Sequence, residues 1–587
     1  MFGSYLTQWD LLVIVFYFVF QFSLGFIFKA FSKDASDYFR GGGSMLWWLV
    51  GASAFMTQFS AWTFTGAAGK AYVDGTLVMA IFFGNALGYF CNYLYTSYRY
   101  RRMRVVTAIE GVRDRFGPVN EQVFTWLQVP MSVVYAGIWL NGLGIVASSF
   151  FNVDPSFTVL IVGVVVVLMS VMGGSWAIVA SDFMQTLLLM SITLVACFLA
   201  LSHPAVDGLG GLLTKLPEGH LKPWDAEDAT FVYFWIFAAF VIQSFKLNNM
   251  FDAYRYLCVK DDKQARKASL MASILMFVGP FIWFIPPMAA RIIQPDLALV
   301  FPELGDKAYE GAFVFIGLEL MPLGMVGLLL CALFAATISS MDTGLNRNAG
   351  IIVKNFYQPV FRKNASPGHL LLAGKVISAL FGALIIVAAL GMQSIKEYDL
   401  FDIMILFGAL ITIPYAMPLV WGIFIKGAPR WSAWSSVLVG IGFSIFAKYI
   451  LDPAWFGYEN LSTREIKDFL YIWSGVGDIV VCSLWFFFTV WGAKRMKAAI
   501  PQQVEDLFDR LARPVDSTSE GGVESDGMQA KVLGMLCLVY GGFISLLGII
   551  IPNPAAGRMC FLFCGFLIMA IGGLLYRAYL VKKRALL

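Results

Sequence analysis

The stretch AATISSMDTGLN, residues 335–346, follows directly on the apolar run MPLGMVGLLLCALF, residues 321–334. Two serines, an aspartate and a threonine therefore fall within five positions at the end of a segment that is otherwise suited to lipid. An aspartate in hydrocarbon is costly, so we expect Asp342 to face the interior of the protein and to have a partner there. The rest of the sequence has to indicate what that partner is.

The small and polar residues of this stretch recur at steps of three and four positions, which places Ala336, Ser339, Ser340 and Thr343 on one helical face. A face made of one carbonyl and several hydroxyls suits a hard monovalent cation, whereas zinc and copper prefer nitrogen or sulfur ligands. Small hydroxyl residues also allow close helix packing, but close packing alone does not explain Asp342. The pattern therefore predicts a cation site on a helix.

The composition is unlike that of a soluble protein. Of the 587 residues, 59% are hydrophobic and only 14% are charged, whereas a soluble protein carries about 25% charged residues. The three histidines are far apart in predicted loops, and most of the eight cysteines lie in apolar runs, as small buried residues rather than a disulfide framework. We therefore predict an all-α polytopic membrane protein. Without material for a zinc site or a histidine triad, it is not predicted to be an enzyme.

A membrane-spanning helix needs about 20 residues that are mainly apolar. Several candidate spans are interrupted by glycine, proline or polar residues, which is tolerated where the break lines a cavity or packs on protein. The sequence contains fifteen candidate spans, at residues 10–29, 45–67, 76–98, 122–148, 156–173, 177–202, 230–256, 269–292, 321–345, 369–391, 401–425, 432–451, 468–492, 530–551 and 559–579.

The basic loops indicate the orientation in the membrane. If the spans alternate, RYRRMR (99–104), KDDKQARK (260–267) and KKR (582–584) fall on one side. Because positive loops stay in the cytoplasm, we expect an integral plasma (inner) membrane protein with its N-terminus outside and its C-terminus cytoplasmic. The segment 493–529 would then be a cytoplasmic linker, with a short amphipathic helix followed by a flexible part rich in serine, glycine and acids.

Two further polar stretches lie inside predicted spans. In DYFRGGGSMLWWLVGASAFMTQFSAWTFTG (37–66), hydroxyl and amide residues surround a predicted break, where main-chain carbonyls can coordinate a cation. Alternatively, the hydroxyls bond back to their own helix and only bend it. In SWAIVASDFMQT (175–186), Asp182 lies about two turns into a span. It is either part of a functional site or an aspartate that snorkels or pairs with lysine near the interface.

These stretches resemble motifs of the sodium:solute symporter family. DYFRGGGSMLWWLVGAS resembles the entry to the family's first core helix, and RDRFG (113–117) resembles a motif in the loop before the third. ASDFMQT resembles the aspartate motif of the fifth core helix, and AATISSMD resembles the sodium motif of the eighth. The matches occur in the family's order over residues of about 30 to 350.

The resemblance implies a LeuT-like fold, a 5+5 inverted repeat with one N-terminal and about four C-terminal extra helices. The total would be 14–15 transmembrane helices. The implied segments are an N-terminal extra helix and cytoplasmic loop (1–44), the first inverted repeat (45–202), an extracellular loop (203–229), the second inverted repeat (230–425), C-terminal extra helices (426–492), the cytoplasmic linker (493–529), and the last two helices with a cytoplasmic tail (530–587).

The resemblance also implies sodium (Na+) as the coupling ion. The main site would use the carbonyls of Met56, Phe59 and Ala336 and the hydroxyls of Ser339 and Ser340. A second sodium, which some members bind, would use Asp182, Ser339, Asp342 and Thr343. Asp342 stands where a family member has serine, so it either strengthens this second site or pairs with a cation such as Lys246.

The solute is expected at the midplane, between two broken helices. Phe245 falls about where sugar-transporting members place an aromatic inner gate. Lys246 either holds an anionic group of the solute or pairs with Asp252 or another acid. The candidate solute residues are Gln58, Ser60 and Thr63 in the first core helix, Tyr135 in the third, and Gln243, Phe245, Lys246 and Asn249 in the sixth.

The sequence thus predicts a sodium-coupled secondary active symporter that imports a small polar organic solute, a sugar or a carboxylate, by alternating access. The alternative is a sodium- or proton-linked solute sensor or channel on the same fold, without obligatory uphill transport. Proton coupling through Asp182 or Asp342 in place of sodium is a further alternative. The expected partners are the solute, sodium ions and membrane lipid, without nucleic acid, and a monomer is sufficient for transport.

Overall fold

The computed structural model describes residues 6–29, 41–151, 153–172, 175–222, 229–251, 254–393, 400–458, 461–515 and 526–585. These residues are predominantly helical, and the strand-like pairing among them is a single bridge between Met45 and Val259. The all-α prediction is therefore confirmed.

The α-helices follow one another along the chain, with short π-helical turns at Asn92–Thr96, Val353–Tyr357 and Gly408–Thr412. The 3-10 turns are Gly41–Gly43, Gly75–Val78, Leu297–Leu299, Pro302–Gly311 and Pro453–Phe456. The α-helices are α1 (Gln8–Lys29), α2 (Trp47–Met56), α3 (Ala61–Phe64), α4 (Gly66–Asp74), α5 (Met79–Cys91), α6 (Ser97–Arg102), α7 (Ala108–Phe116), α8 (Pro118–Phe151), α9 (Pro155–Met172), α10 (Ser175–Ser202), α11 (Gly208–Lys215), α12 (Ala229–Lys246), α13 (Tyr254–Leu257), α14 (Asp262–Val278), α15 (Pro280–Trp283), α16 (Ile285–Ile293), α17 (Ala312–Leu320), α18 (Met325–Ile352), α19 (Gln358–Phe361), α20 (Pro367–Met392), α21 (Leu400–Phe407), α22 (Ile413–Gly422), α23 (Ser432–Tyr449), α24 (Thr463–Arg495), α25 (Gln502–Ala512), α26 (Asp526–Ile550) and α27 (Ala555–Ala585).

Each of the fifteen predicted spans overlaps one or more of these helices. Within the described residues, eleven helical stretches are long and apolar enough to cross a membrane. Three shorter apolar helices, Trp47–Met56, Pro155–Leu168 and Phe231–Lys246, lie among them. Two of these three, Trp47–Met56 and Phe231–Lys246, end where the helix is interrupted, which is why they are shorter than a full membrane span.

The ends of three predicted spans differ from the observed helices. The span predicted at 45–67 is interrupted after Met56, and the span predicted at 230–256 stops at Lys246. The helix predicted at 321–345 continues to Ile352. It continues because its polar end is buried: Asn346 donates to the hydroxyls of Ser175 and Tyr254, so this asparagine does not need water.

Side chains of the chain itself fix both breaks. At the first, Ser60 has an extended backbone and its hydroxyl accepts from the Trp62 amide, which starts α3. At the second, the Asn249 amide donates to the Lys246 carbonyl over 2.6 Å, and its oxygen accepts from the Phe251 amide over 2.7 Å. The carbonyl that α12 leaves unpaired at its end is thereby satisfied.

The helix α18 lies at the centre of the molecule, and nearly all of its residues are buried. It packs against α10, α8, α1 and α20. The last two helices, α26 and α27, pack as a hairpin, and α27 also contacts α10. The polar face of α18 is therefore enclosed by protein, as an aspartate on it requires.

The amphipathic helix predicted within 493–529 is α25, which buries Val504, Leu507 and Leu511. It packs on α6 and α7, where Arg510 forms an ion pair with Asp114 at 2.5 Å. The flexible part of the predicted linker lies mostly in residues 516–525, outside the described residues. The linker helix is thus docked against the core.

Candidate ion and solute site

The break between α2 and α3 meets α18 at Ser340. The Ser340 hydroxyl lies 3.5 Å from the Met56 carbonyl and 3.2 Å from the Thr57 carbonyl, and it also contacts the Phe59 carbonyl. Carbonyls at the end of a helix lack their full set of helical partners, so they are available to other donors or to a cation. The structure thus brings together Met56, Phe59 and Ser340 and adds the Thr57 carbonyl, which the sequence did not indicate.

Ser339 stands beside Ser340 on the same helix. It is 1% exposed, and its hydroxyl lies close enough to the Asp182 carboxylate to interact with it, although it makes no hydrogen bond of good geometry to a described residue. A buried hydroxyl that is not fully satisfied can also serve a cation. Ala336, about one turn earlier on α18, is fully buried. The oxygens of this group therefore fit sodium, which would enter as a transported ion.

The second predicted ion group contains an arginine. Arg255 Nη2 lies 3.1 Å from the Asp182 Oδ2, and it also donates to the Thr343 hydroxyl. The same nitrogen lies 3.3 Å from the Thr57 hydroxyl, and Ser53 donates to Asp182 from the other side. A guanidinium therefore stands between two of the oxygens predicted to hold a second sodium.

Asp182 is therefore not the lysine-paired or snorkelling aspartate of the alternative interpretation. Asp182 is 1% exposed and Arg255 is 4% exposed, so the pair is buried away from the interface. The sequence contained the signal, because Arg255 lies inside the span predicted at 230–256, where an ionisable residue indicates a functional site. Lys246 in that span was among the predicted site residues, whereas Arg255 was not.

Asp342, which raised the opening question, does not pair with Lys246. It is buried on α18. Lys246 forms no ion pair with any carboxylate in the described parts of the chain. Asp252, its other predicted partner, lies outside the described residues.

A cavity of about 120 Å³ opens beside the ion group. Five of the predicted solute residues line it: Gln58, Ser60, Tyr135, Lys246 and Asn249. Gln243 lines a smaller neighbouring cavity of about 30 Å³, together with Gln58, Trp62 and Lys246. The two predicted groups of solute residues, from the first and sixth core helices, therefore meet around connected space.

Two predicted solute residues line neither cavity. Phe245 packs against Trp421 with ring centroids 6.1 Å apart, and its role as an aromatic gate stays a prediction. Thr63 is buried, and its hydroxyl has no partner among the described residues. The aromatic residues that do line the larger cavity are Trp62, Tyr135, Trp139, Phe251, Phe381 and Tyr415.

The π-turn Gly408–Thr412 and α22 also contribute to the cavity, which was not predicted from the sequence. Thr412 shares a hydrogen bond of 2.7 Å with the Tyr135 hydroxyl, and Tyr415 donates to Gln128 over 2.6 Å. Arg347 and Asn348 of α18 also line the cavity. A threonine next to IPYAMP inside the apolar span at 401–425 was an available signal, since polar residues in a broken span mark a cavity.

Comparisons with known proteins identify what this arrangement is similar to. The model of the sodium:solute symporter family matches residues 38–440. The chain is 25% identical to the sodium/sialic acid symporter SiaT of Proteus mirabilis over 455 residues, which cover 76% of this chain and 90% of that protein. It is 26% identical to the sodium/myo-inositol cotransporter 2 of Bos taurus over 541 residues, covering 81% and 76% of the two chains.

A solved structure has the same fold. It is described as the substrate-bound outward-open state of a Na+-coupled sialic acid symporter, and it superposes with a TM-score of 0.64 at 21% identity. The match covers 82% of this chain and 98% of that chain. The helical architecture of the described residues is therefore that of a known transporter fold.

Proposed function

Since the chain belongs to the sodium:solute symporter family, we propose that it imports a small polar organic solute with sodium by alternating access. The main sodium would bind to Met56, Phe59, Ala336, Ser339 and Ser340, with the Thr57 carbonyl as a further oxygen. The observation that supports this site is the convergence of the Met56, Thr57 and Phe59 carbonyls on the Ser340 hydroxyl, beside the buried Ser339 hydroxyl.

A sodium ion at this place would couple the two halves of the transporter. It would connect the break between α2 and α3 to α18, and the same break supplies Gln58 and Ser60 to the solute cavity. Conformations that bring these oxygens together bind sodium better than those that separate them. Such a difference in affinity is the thermodynamic basis of coupling, because an ion shifts only the equilibria between states that bind it unequally.

We propose one sodium ion per cycle. A second ion at Asp182, Ser339, Asp342 and Thr343 would have to displace the Arg255 guanidinium, which already neutralises Asp182. The two-sodium interpretation remains a prediction that stoichiometry tests. Solute uptake into proteoliposomes, measured against external sodium concentration, should give a Hill coefficient of about one. A coefficient clearly above one would contradict the single-ion proposal.

The experiment that tests the function itself uses purified full-length protein in proteoliposomes. The labelled solutes are sialic acid, myo-inositol and glucose, because similar proteins are described as sodium symporters of these three solutes. Each is offered under an inward sodium gradient and under an equal potassium gradient. Accumulation above the external concentration only with sodium supports symport. Binding without accumulation supports the sensor or channel alternative, and uptake driven by a pH gradient without sodium supports proton coupling.

The chain is an integral membrane protein, and we propose that it resides in the plasma (inner) membrane with a cytoplasmic C-terminus. The ion pair between Arg102 and Asp262, at 2.7 Å, holds two of the predicted cytoplasmic loops together on one face. The docked helix α25 lies on this same face through Arg510 and Asp114. Thiol labelling of a cysteine introduced in α25, in intact and opened cells, checks this orientation: labelling of intact cells would contradict it.

We further propose that a monomer transports and that no catalytic step is involved.

A further inference from the structure

Lys246 occupies an unusual position for a charged side chain. It is the last residue of α12, where the helix breaks, and it lines both the cavity of about 120 Å³ and the smaller one of about 30 Å³. Its side chain is half-buried, and an ammonium group that is partly withdrawn from water is costly unless it is paired, hydrated or in contact with a polar ligand. A lysine at this position therefore needs a reason.

None of the described residues that line the cavity is an acid that could pair with it. Among the described residues that line the two cavities, Lys246 and Arg347 carry positive charge and no aspartate or glutamate occurs. Lys246 forms no ion pair elsewhere in the described parts of the chain. A neutral solute would leave this charge uncompensated, whereas an anionic solute would neutralise it.

The surroundings of the ammonium group also leave room for a ligand. Its nitrogen lies 5.1 Å from the centroid of the Tyr135 ring, a cation–π contact that orients the side chain without neutralising it. Gly408 lies beside both groups, since a Cβ atom there would be 3.5 Å from the Tyr135 hydroxyl and 3.7 Å from the Lys246 nitrogen, which are ordinary contact distances. The wall of the cavity next to the ammonium group is therefore formed by a residue without a side chain.

A neutral donor stands next to the cation. The hydroxyls of Tyr135 and Thr412 lie 2.7 Å apart and share one hydrogen bond. Each hydroxyl has one hydrogen, so the pair uses one and retains one that a ligand oxygen can accept. A carboxylate has two oxygens, of which one can approach the ammonium and the other the hydroxyl.

We infer that Lys246, with the Tyr135–Thr412 hydroxyl pair, binds a carboxylate of the transported solute, which is thus an organic acid and not a neutral sugar. This inference rests on the proposed sodium symport, because it assigns the solute of the same site. It narrows the choice between a sugar and a carboxylate that the sequence left open.

Matched pairs of solutes test the inference on the purified full-length protein in sodium. The pairs are acetate with acetamide, lactate with propane-1,2-diol, and glucuronate with glucose, at equal ionic strength set with chloride. Thermal unfolding is followed because a ligand that binds the folded protein raises the unfolding temperature, and at equal concentration the tighter ligand raises it more. We expect at least one acid to stabilise the protein while its neutral partner does not. If no acid exceeds its neutral partner, the inference is overturned.

Variants of the lysine make the test specific. Lys246→Gln should weaken the stabilising acid about tenfold or more, since hydrogen bonds to charged groups are among the strong ones. Lys246→Arg should retain most of the effect, which also covers the case that Lys246→Gln does not fold. Lys448→Gln removes an exposed lysine of α23 and should leave the acid's effect unchanged. Equal stabilisation of the native protein and Lys246→Gln by the acid would overturn the assignment to this lysine.

A sodium comparison separates the two proposals. Without any solute, the native protein is unfolded in sodium and in potassium at equal concentration. Stabilisation by sodium together with no preference for acids contradicts only the carboxylate inference. No stabilisation by sodium over potassium contradicts the proposed sodium site itself.

Discussion

Two groups of oxygens lie along the polar face of α18, and they differ in what neutralises them. At Ser340 the oxygens are a neutral hydroxyl and three carbonyls, and no described cation is hydrogen-bonded to them. About one turn later, Thr343 and Asp182 share the Arg255 guanidinium. A buried carboxylate is charged and therefore needs a cation that stays in place. Neutral oxygens need no cation and can bind an ion reversibly. The comparison indicates that the group at Ser340 binds sodium and that the Asp182–Arg255 group stabilises the fold.

Removing the arginine should break this comparison most strongly. Arg255→Gln leaves the Asp182 carboxylate buried without a cation, so we expect the free energy of unfolding to fall by about 3–5 kcal/mol. The double variant Asp182→Asn with Arg255→Gln removes both charges and should recover much of the loss. Unfolding in mixed detergent micelles measures all three proteins. An Arg255→Gln variant as stable as the native protein would mean that Asp182 has another partner or binds an ion.

The sequence predicted one of these two groups and missed the other for a physical reason. Ser339 and Ser340 lie in an apolar helix beside a predicted helix interruption. An ion site is one of the few arrangements that account for two hydroxyls at such a position. The pairing of Arg255 with Asp182 joins residues 73 positions apart, and only the folded chain shows which basic residue meets which acid. For the same reason Phe245 was placed in the cavity, while the contribution of Thr412 went unnoticed. The fold depends on patterns within single helices, which the sequence displays directly.

A second prediction compares the two groups by their response to sodium. Ser340→Ala removes the hydroxyl on which three carbonyls converge, and we expect sodium affinity to fall about tenfold, equivalent to about 1.4 kcal/mol. Thr343→Ala should change sodium affinity far less, because its hydroxyl serves the guanidinium. Binding of labelled sodium to purified protein measures both.

The control for this pair is Ser269→Ala, which removes a buried serine of α14 that donates to its own helix. It should bind sodium like the native protein. If Thr343→Ala weakens sodium binding as much as Ser340→Ala does, the two groups act as one ion site and the proposed division between them is wrong.

The smallest change in the free energy of unfolding is expected at another buried carboxyl group. It tests whether every buried carboxylate needs a cation nearby. Asp478 of α24 is fully buried and forms no ion pair within the described residues. Its Oδ2 lies 2.6 Å from the Ser444 hydroxyl, which in turn lies 2.7 Å from the Leu410 carbonyl. One hydroxyl hydrogen cannot serve both acceptors, so a protonated Asp478 that donates to Ser444 completes the chain.

An amide can replace that protonated acid, because its NH2 group also donates to Ser444. Asp478→Asn should therefore change the free energy of unfolding by less than about 1 kcal/mol, unlike Arg255→Gln. Asp478→Leu, which removes the donor but keeps the branching of the side chain, should cost more because Ser444 loses its partner and the methyl groups need more room. If Asp478→Asn is as destabilising as Arg255→Gln, Asp478 is ionised and its cation lies outside the described residues. A cation outside the described residues could then also lie beside Ser339 and Ser340. The lack of a described cation there would support a transported sodium ion less strongly.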